Sequence, residues 1–238
     1  MNNKILNVRR KVYGFILIFH AFFTISAAQS LPVSRYGLPI INSPGLYKES
    51  LKDHPEKEMV GLSACPGIVL SLRYAGSDNF LHKKLYPGKV SNTFLRKPVL
   101  EALIRVNREL NKKGMMLVVY DAYRPYSVTE TIWETVKDDR YAADPANGSG
   151  HNRGVAVDLT IADLKSGQLL RMPTDFDNFT DSARQDFPLS DSAMIRNRNL
   201  LRELMMKYGF LPLSTEWWHF SWPDPGKFEV MDLSFEEF

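Results

Sequence analysis

Two short stretches of this chain carry side chains that can bind a metal and move a proton. In Gly148-Ser149-Gly150-His151-Asn152-Arg153-Gly154-Val155-Ala156-Val157-Asp158, a loop rich in Gly and Ser delivers His151 to the start of a predicted strand, and Asp158 follows in that strand. The second stretch, Glu216-Trp217-Trp218-His219, adds a histidine and a carboxylate flanked by aromatic bulk. Two histidines and one carboxylate leave a tetrahedral zinc ion one open position, the arrangement of a catalytic site. A zinc ion lowers the pKa of a coordinated water to about 7, which makes hydroxide available at neutral pH. Glu216 and His219 are an odd number of residues apart and would face opposite ways in a regular strand. A turn at Ser214-Thr215 would instead bring Glu216 beside the site as a general base rather than a fourth ligand. Taken singly, each residue has an ordinary structural reading: a satisfied histidine, a cap carboxylate, a core Trp pair. Only the two stretches taken together point to a metal. Arg124 has two readings: a salt bridge to Asp121, or a guanidinium facing the oxygen that gains charge when a carbonyl is attacked.

The elements that must position these residues follow from hydrophobic pattern and punctuation. Ile68 to Tyr74 reads as a strand. A helix is predicted from about Pro98 to Lys113, with Val99, Leu103, Val106 and Leu110 as its apolar stripe and Gly114 as its stop. The unbroken apolar run Met115–Tyr120 reads as a buried strand that ends before Arg124-Pro125. Ser127 and Glu130 suggest a capping box opening a second helix. Further predictions are a strand over Val155–Ile161, a helix over Asn199–Tyr208 and a strand over Trp217–Trp222. Residues 29 to 60, rich in Pro, Gly and charge, read as irregular surface structure. Strands and helices are interspersed without repeated strand-helix units, so the fold class is α+β.

The chain has 238 residues, enough for one domain with a sizeable core. At 44% hydrophobic and 24% charged residues it is of globular composition, which excludes disorder as the default. The net charge of +3 includes Lys4, Arg9, Arg10 and Lys11 at the extreme N-terminus, so no nucleic-acid footprint is indicated. That basic start precedes the apolar run from Val12 to Ile25 and the small residues Ser26-Ala27-Ala28. Together they predict a secretory signal over residues 1–28, cleaved after Ala28, and a mature domain over 29–238. The apolar run is shorter than the roughly 20 residues that cross a bilayer, so no stable anchor is expected after cleavage. Cys65 is the only cysteine, which excludes an internal disulfide and a thiolate zinc site; its Ala-Cys-Pro-Gly context suits buried filler.

The blocks Ser149-Gly-His151-Asn-Arg153-Gly154-Val-Ala-Val-Asp158-Leu159-Thr160 and Glu216-Trp217-Trp218-His219 resemble those of the D-alanyl-D-alanine dipeptidases. These are zinc enzymes of the vancomycin-resistance type, within the wider clan of D,D-carboxypeptidase-like metallopeptidases. The likeness extends through residues 72–80, Asp121-Ala122-Tyr123-Arg124-Pro125 and residues 172–177, and covers about residues 65 to 225. It implies a single domain of the D,D-peptidase and hedgehog type, with a central, mainly antiparallel sheet flanked by helices. It also implies one Zn2+ per chain held by His151, Asp158 and His219, with Glu216 as base and Arg124 stabilising the tetrahedral intermediate. Tyr74, Ser149 and Asp177 fall where the family recognises the free ammonium group of a small dipeptide. Gly150 and Asn152 depart from the family pattern, where many relatives carry serine. The activity so implied is hydrolysis of D-Ala-D-Ala to two D-alanines; the alternative within the clan is a D,D- or L,D-carboxypeptidase acting on peptidoglycan stem peptides. Resistance enzymes of this type act in the cytoplasm, whereas the predicted signal implies a periplasmic enzyme that meets cell-wall fragments.

Overall fold

The computed structural model describes residues 30–139, 141–224 and 226–238; the segment read as a secretory signal lies outside them. Leu31–Phe238 form one compact unit. Its centre is a five-stranded sheet of β3 (Ile68–Leu70), β5 (Met115–Asp121), β6 (Ala156–Asp163), β8 (His219–Ser221) and β7 (Leu211–Pro212), in that spatial order. β3 runs parallel to β5, and the other three pairings are antiparallel. The observed class is therefore α+β with a mainly antiparallel sheet. Two short pairings lie outside it: β1 (Ile40–Ile41) with β9 (Val230–Met231), and β2 (Met59–Gly61) with β4 (Phe94–Arg96).

Helix α2 (Lys97–Asn111) has Pro98 in its first turn and buries Val99, Leu103, Val106 and Leu110 against β5. Its stop at Gly114 rests on a φ of +73°, open to glycine at no steric cost. Asn107, buried on the same helix, accepts from the Leu117 amide and donates to the Pro66 carbonyl, tying the helix to the sheet. α4 (Ser192–Lys207) packs on α2 and β6 through Leu201, Leu204 and Met205.

Several elements differ from their sequence readings. The strand at Ile68 ends at Leu70, and Arg73–Ala75 form a 3-10 turn that takes Tyr74 into a buried position. α3 (Tyr126–Val136) starts directly after Pro125, one residue before Ser127, so there is no capping box. Instead the Ser127 amide and hydroxyl both donate to Asp232, and Glu130 pairs with Arg35. α4 begins at Ser192, seven residues before the expected start, where the Asp191 carboxylate accepts from the Ala193 and Met194 amides and caps it. Residues 29 to 60 are more ordered than expected. They include β1, β2 and α1 (Pro44–Ser50), capped by Ser43, and contribute Ile41 and Tyr47 to a small core with Met231 and Leu233. Cys65 is half-buried against the main core, and burial raises its thiol pKa.

Arg96 is fully buried at the junction of β4 and α2. Its guanidinium donates to the carbonyls of Lys57, Arg153 and Glu229, which joins the N-terminal segment, the His151 loop and β9. Burial lowers its pKa to about 10, with Glu229 opposing, so it stays charged at neutral pH. Arg96→Met leaves three carbonyls without their donor. At about 1 kcal/mol each this predicts a loss of about 3 kcal/mol, read from denaturant unfolding; a change below about 0.5 kcal/mol contradicts the role given to Arg96.

Candidate metal centre

Asp158 lies in β6 directly opposite His219 in β8, and directly opposite Asp121 in β5 on its other side. That second pairing depends on an irregularity between Val119 and Asp121, where β5 advances two residues while β6 advances one. Strand side chains alternate between faces, so a regular ladder would pair Asp121 with Val157 and turn it away from Asp158. The extra residue re-aims it, as bulges beside functional sites do. His151 is not in a strand: it sits in a turn that precedes β6. The chain turns at Ser214-Thr215 and again at Trp217-Trp218, and β8 begins only at His219. The expected strand from Trp217 is thereby shortened, and Glu216 lines the same cavity as His219.

All eight residues singled out in the sequence (Tyr74, Arg124, Ser149, His151, Asp158, Asp177, Glu216 and His219) line one cavity of about 480 Å³. Ligand atoms of His151, Asp158 and His219 lie within 4.8 Å of one another. His151 Nε2 is 3.4 Å from Asp158 Oδ2, and His219 Nδ1 is 2.9 Å from Asp158 Oδ1. The two ring nitrogens are 3.3 Å apart.

The opposite ring nitrogens decide whether a cation fits. His151 Nδ1 is 2.7 Å from the Ala122 carbonyl, which can only accept, so Nδ1 carries the proton and Nε2 turns a lone pair inward. His219 Nε2 is 3.0 Å from Ser221 Oγ, a hydroxyl that can accept from it, and Nδ1 is the ring nitrogen that faces Asp158. Outer hydrogen bonds of this kind orient a metal-binding histidine. Two imidazole nitrogens and a carboxylate thus converge on one point, and a divalent cation suits that donor set. Burial would raise the pKa of Asp158, but His151 and His219 outweigh it and hold the carboxylate ionised.

Arg124 makes the salt bridge to Asp121 that was one of its two readings, and its side chain also borders the cavity. Its Nε and Nη2 donate to Asp121 Oδ2 at 3.0 and 2.7 Å, its plane lies over the Tyr74 ring at 4.8 Å, and it still lines the cavity. Burial opposes its charge, and Asp121 more than compensates, so its pKa is raised. Tyr86 was not singled out in the sequence. It is buried and donates to Asp121 Oδ1, completing a Tyr86–Asp121–Arg124 chain. The Asp-x-x-Arg spacing was the available signal for Asp121; nothing local marked Tyr86.

Ser149 accepts from the Asn152 amide and donates its own amide to Asn152 Oδ1. The Asn152 side-chain Nδ2 donates to the Arg124 carbonyl and to the Thr129 hydroxyl, binding the loop to the segment that follows β5. Gly150 has a steric reason: a Cβ there would lie 2.9 Å from the Ala156 Cβ. Asp177 adopts φ +59°, a left-handed conformation that Asp and Asn tolerate best among residues with a side chain. Its carboxylate accepts from Tyr74 OH at 3.1 Å and from the Phe80 amide at 3.3 Å. Burial, aided by Asp158, raises Asp177 to about 7, and burial likewise raises Glu216 to about 7.

A family model described as D-ala-D-ala dipeptidase, of the M15 peptidases, matches residues 56–238. A D-alanyl-D-alanine dipeptidase of Escherichia coli is 34% identical over 182 residues, covering 76% of this chain and 93% of that protein. Enzymes of the same name from Enterococcus faecalis and Streptomyces coelicolor are 27% and 30% identical, each match covering 65% of this chain and 85% and 86% of theirs. Among solved structures, the LdcB LD-carboxypeptidase superposes with a TM-score of 0.40 at 19% identity, over 67% of this chain and 66% of that one.

Two predictions come from this geometry. Protein purified without chelator holds about one divalent ion per chain by elemental analysis, as three converging ligands imply, and both Asp158→Ala and His219→Ala lose most of it. Retention by both variants would remove the ligand assignment. The second concerns Asp177, whose unfolded pKa is about 3.9. From there up to about 7, the folded protein keeps a proton that the unfolded chain has released, so stability falls as pH rises through this window. Asp177→Asn removes that loss. Chelator-treated Asp177→Asn should match the wild type at pH 4 and melt roughly 2–6 °C higher at pH 8. A constant difference across pH refutes the shift.

Proposed function

The chain belongs to the D-Ala-D-Ala dipeptidase family of M15 peptidases, and on that premise we propose that it is a zinc-dependent dipeptidase that hydrolyses D-Ala-D-Ala to two D-alanines. The observation that carries this reading is the convergence of two histidine nitrogens and an ionised carboxylate beside a carboxyl raised to about 7. His151, Asp158 and His219 would hold the metal, which would supply Lewis-acid activation of water and of the scissile carbonyl. Glu216 takes a proton from the attacking water and passes it to the departing amine. A pKa near 7 suits a group that must both accept and release a proton at neutral pH. Arg124, held by Asp121, faces the carbonyl oxygen as it gains charge.

Asp177 and Tyr74 give the site its preference for a free amine. A substrate ammonium beside the Asp177 carboxylate draws that group into its ionised form, so binding near neutral pH gains a charge-assisted hydrogen bond. A blocked amine would leave Asp177 buried without a cation. Ser149 completes this end of the cavity. The basic start and the apolar run at residues 12–25 support export, and wall fragments outside the inner membrane are the natural source of such a dipeptide. No helix among the described residues is long and apolar enough to cross a membrane.

Glu216→Ala is predicted to keep its metal while hydrolysis of D-Ala-D-Ala falls by a factor on the order of 10²–10⁴, the usual contribution of a positioned base. Near-normal turnover by this variant would sink the assignment. Rapid cleavage of N-acetyl-D-Ala-D-Ala by the wild type would point instead to a carboxypeptidase.

A further inference from the structure

A second cavity, of about 760 Å³, adjoins the first. Only Phe80 and Asp177 line both, so these two residues form the partition between them. The partition is pinned from both sides: Asp177 accepts from the Phe80 amide and from Tyr74, and the Phe80 ring packs edge-on against Phe179 at 5.1 Å. On the far side are Arg73, Tyr120, Thr160, Thr174 and Trp217. The Arg73 guanidinium lies over the Tyr120 ring at 4.5 Å and pairs with Asp78, and its Nε is a buried donor without a hydrogen-bond partner. A volume of this size lies within the range that holds drug-sized ligands.

We propose that the Phe80–Asp177 partition determines substrate length, by closing the dipeptide site off from a second cavity able to take an N-terminal extension. The inference rests on the dipeptidase reading, in which the substrate ammonium meets Asp177. An acyl or aminoacyl group on that nitrogen then points at the partition. With the partition intact the extension meets the Phe80 ring, and Asp177 loses its cation. With the partition opened, the extension enters the larger cavity, among the Arg73, Thr174 and Trp217 side chains. The substrate class admitted is N-acyl- or N-aminoacyl-D-Ala-D-Ala. Phe80 is the residue this adds to the specificity of the site. Its side chain supplies the barrier, while its backbone amide, which any residue would supply, holds Asp177.

The test measures kcat/KM of the zinc-loaded protein on D-Ala-D-Ala, N-acetyl-D-Ala-D-Ala and a tripeptide ending in D-Ala-D-Ala. Two variants are compared with the wild type: Phe80→Ala, which removes the ring, and Asp177→Gly, whose native φ of +59° glycine adopts freely. Melting curves and metal content report folding, and loss of fold in one variant leaves the other to decide. We expect the wild type to cleave only the free dipeptide. The ratio of kcat/KM for extended to free substrate should rise at least 30-fold in Phe80→Ala. In Asp177→Gly it should rise further, because the free dipeptide also loses its ammonium partner. If the wild type behaves as expected and both ratios stay within threefold of it, the partition is overturned and the dipeptidase reading stands. A wild type active on all three substrates, or on none, overturns both.

Discussion

Two carboxylates, Asp121 and Asp158, face each other across adjacent antiparallel strands, and the rest of the site is organised around that juxtaposition. Like charges directly opposite in a sheet repel, and here both are buried. Arg124 answers part of the demand through its two bonds to Asp121, and its Nη2 lies 3.9 Å from Asp158 Oδ2. Tyr86 satisfies the other Asp121 oxygen. What remains is Asp158, flanked by His151 and His219. The three side chains form a donor set that suits a divalent cation. The electrostatics that make the site costly to fold are also those that favour a cation there.

The scaffold keeps these groups in register. His151 and Arg124 come from different segments, yet three hydrogen bonds join them: Arg124 amide to His151 carbonyl, Asn152 side chain to Arg124 carbonyl, and His151 Nδ1 to Ala122 carbonyl. Arg96 holds the far side of the same loop through the Arg153 carbonyl. A displacement of the loop would therefore disturb His151 and Arg124 together. The other two acids of the cavity wall, Glu216 and Asp177, lie outside the strands. There burial raises their pKa by more than Arg124 lowers it.

The sequence conveyed the elements better than their arrangement. Apolar runs and stop signals placed α2 and β5 within a residue or two, because local pattern alone decides such elements. α4 was read short because its buried apolar positions begin only at Leu201 and its start rests on a single Asp191 cap. Ser127 looked like a cap but serves a partner 105 residues away, which no local pattern reveals. The bulge at the end of β5 was equally hidden, and without it Asp121 has no reason to meet Asp158. The convergence of His151, Asp158, Glu216 and His219 was legible only because two motifs were weighed together. Asp177 gained meaning from family likeness, and its left-handed backbone and the second cavity behind it emerged only in three dimensions.

The claim on which everything else depends is that His151, Asp158 and His219 share one metal ion. X-ray absorption spectroscopy at the zinc edge, on protein purified without added chelator, tests it most directly. The account predicts a four-coordinate shell of two imidazole nitrogens and oxygen donors at about 2.0–2.2 Å, the range for such ligands at zinc, with the imidazole signal lost in His219→Ala. A shell of oxygen atoms only, as for an ion bound loosely at the surface, or one unchanged in that variant, would contradict it.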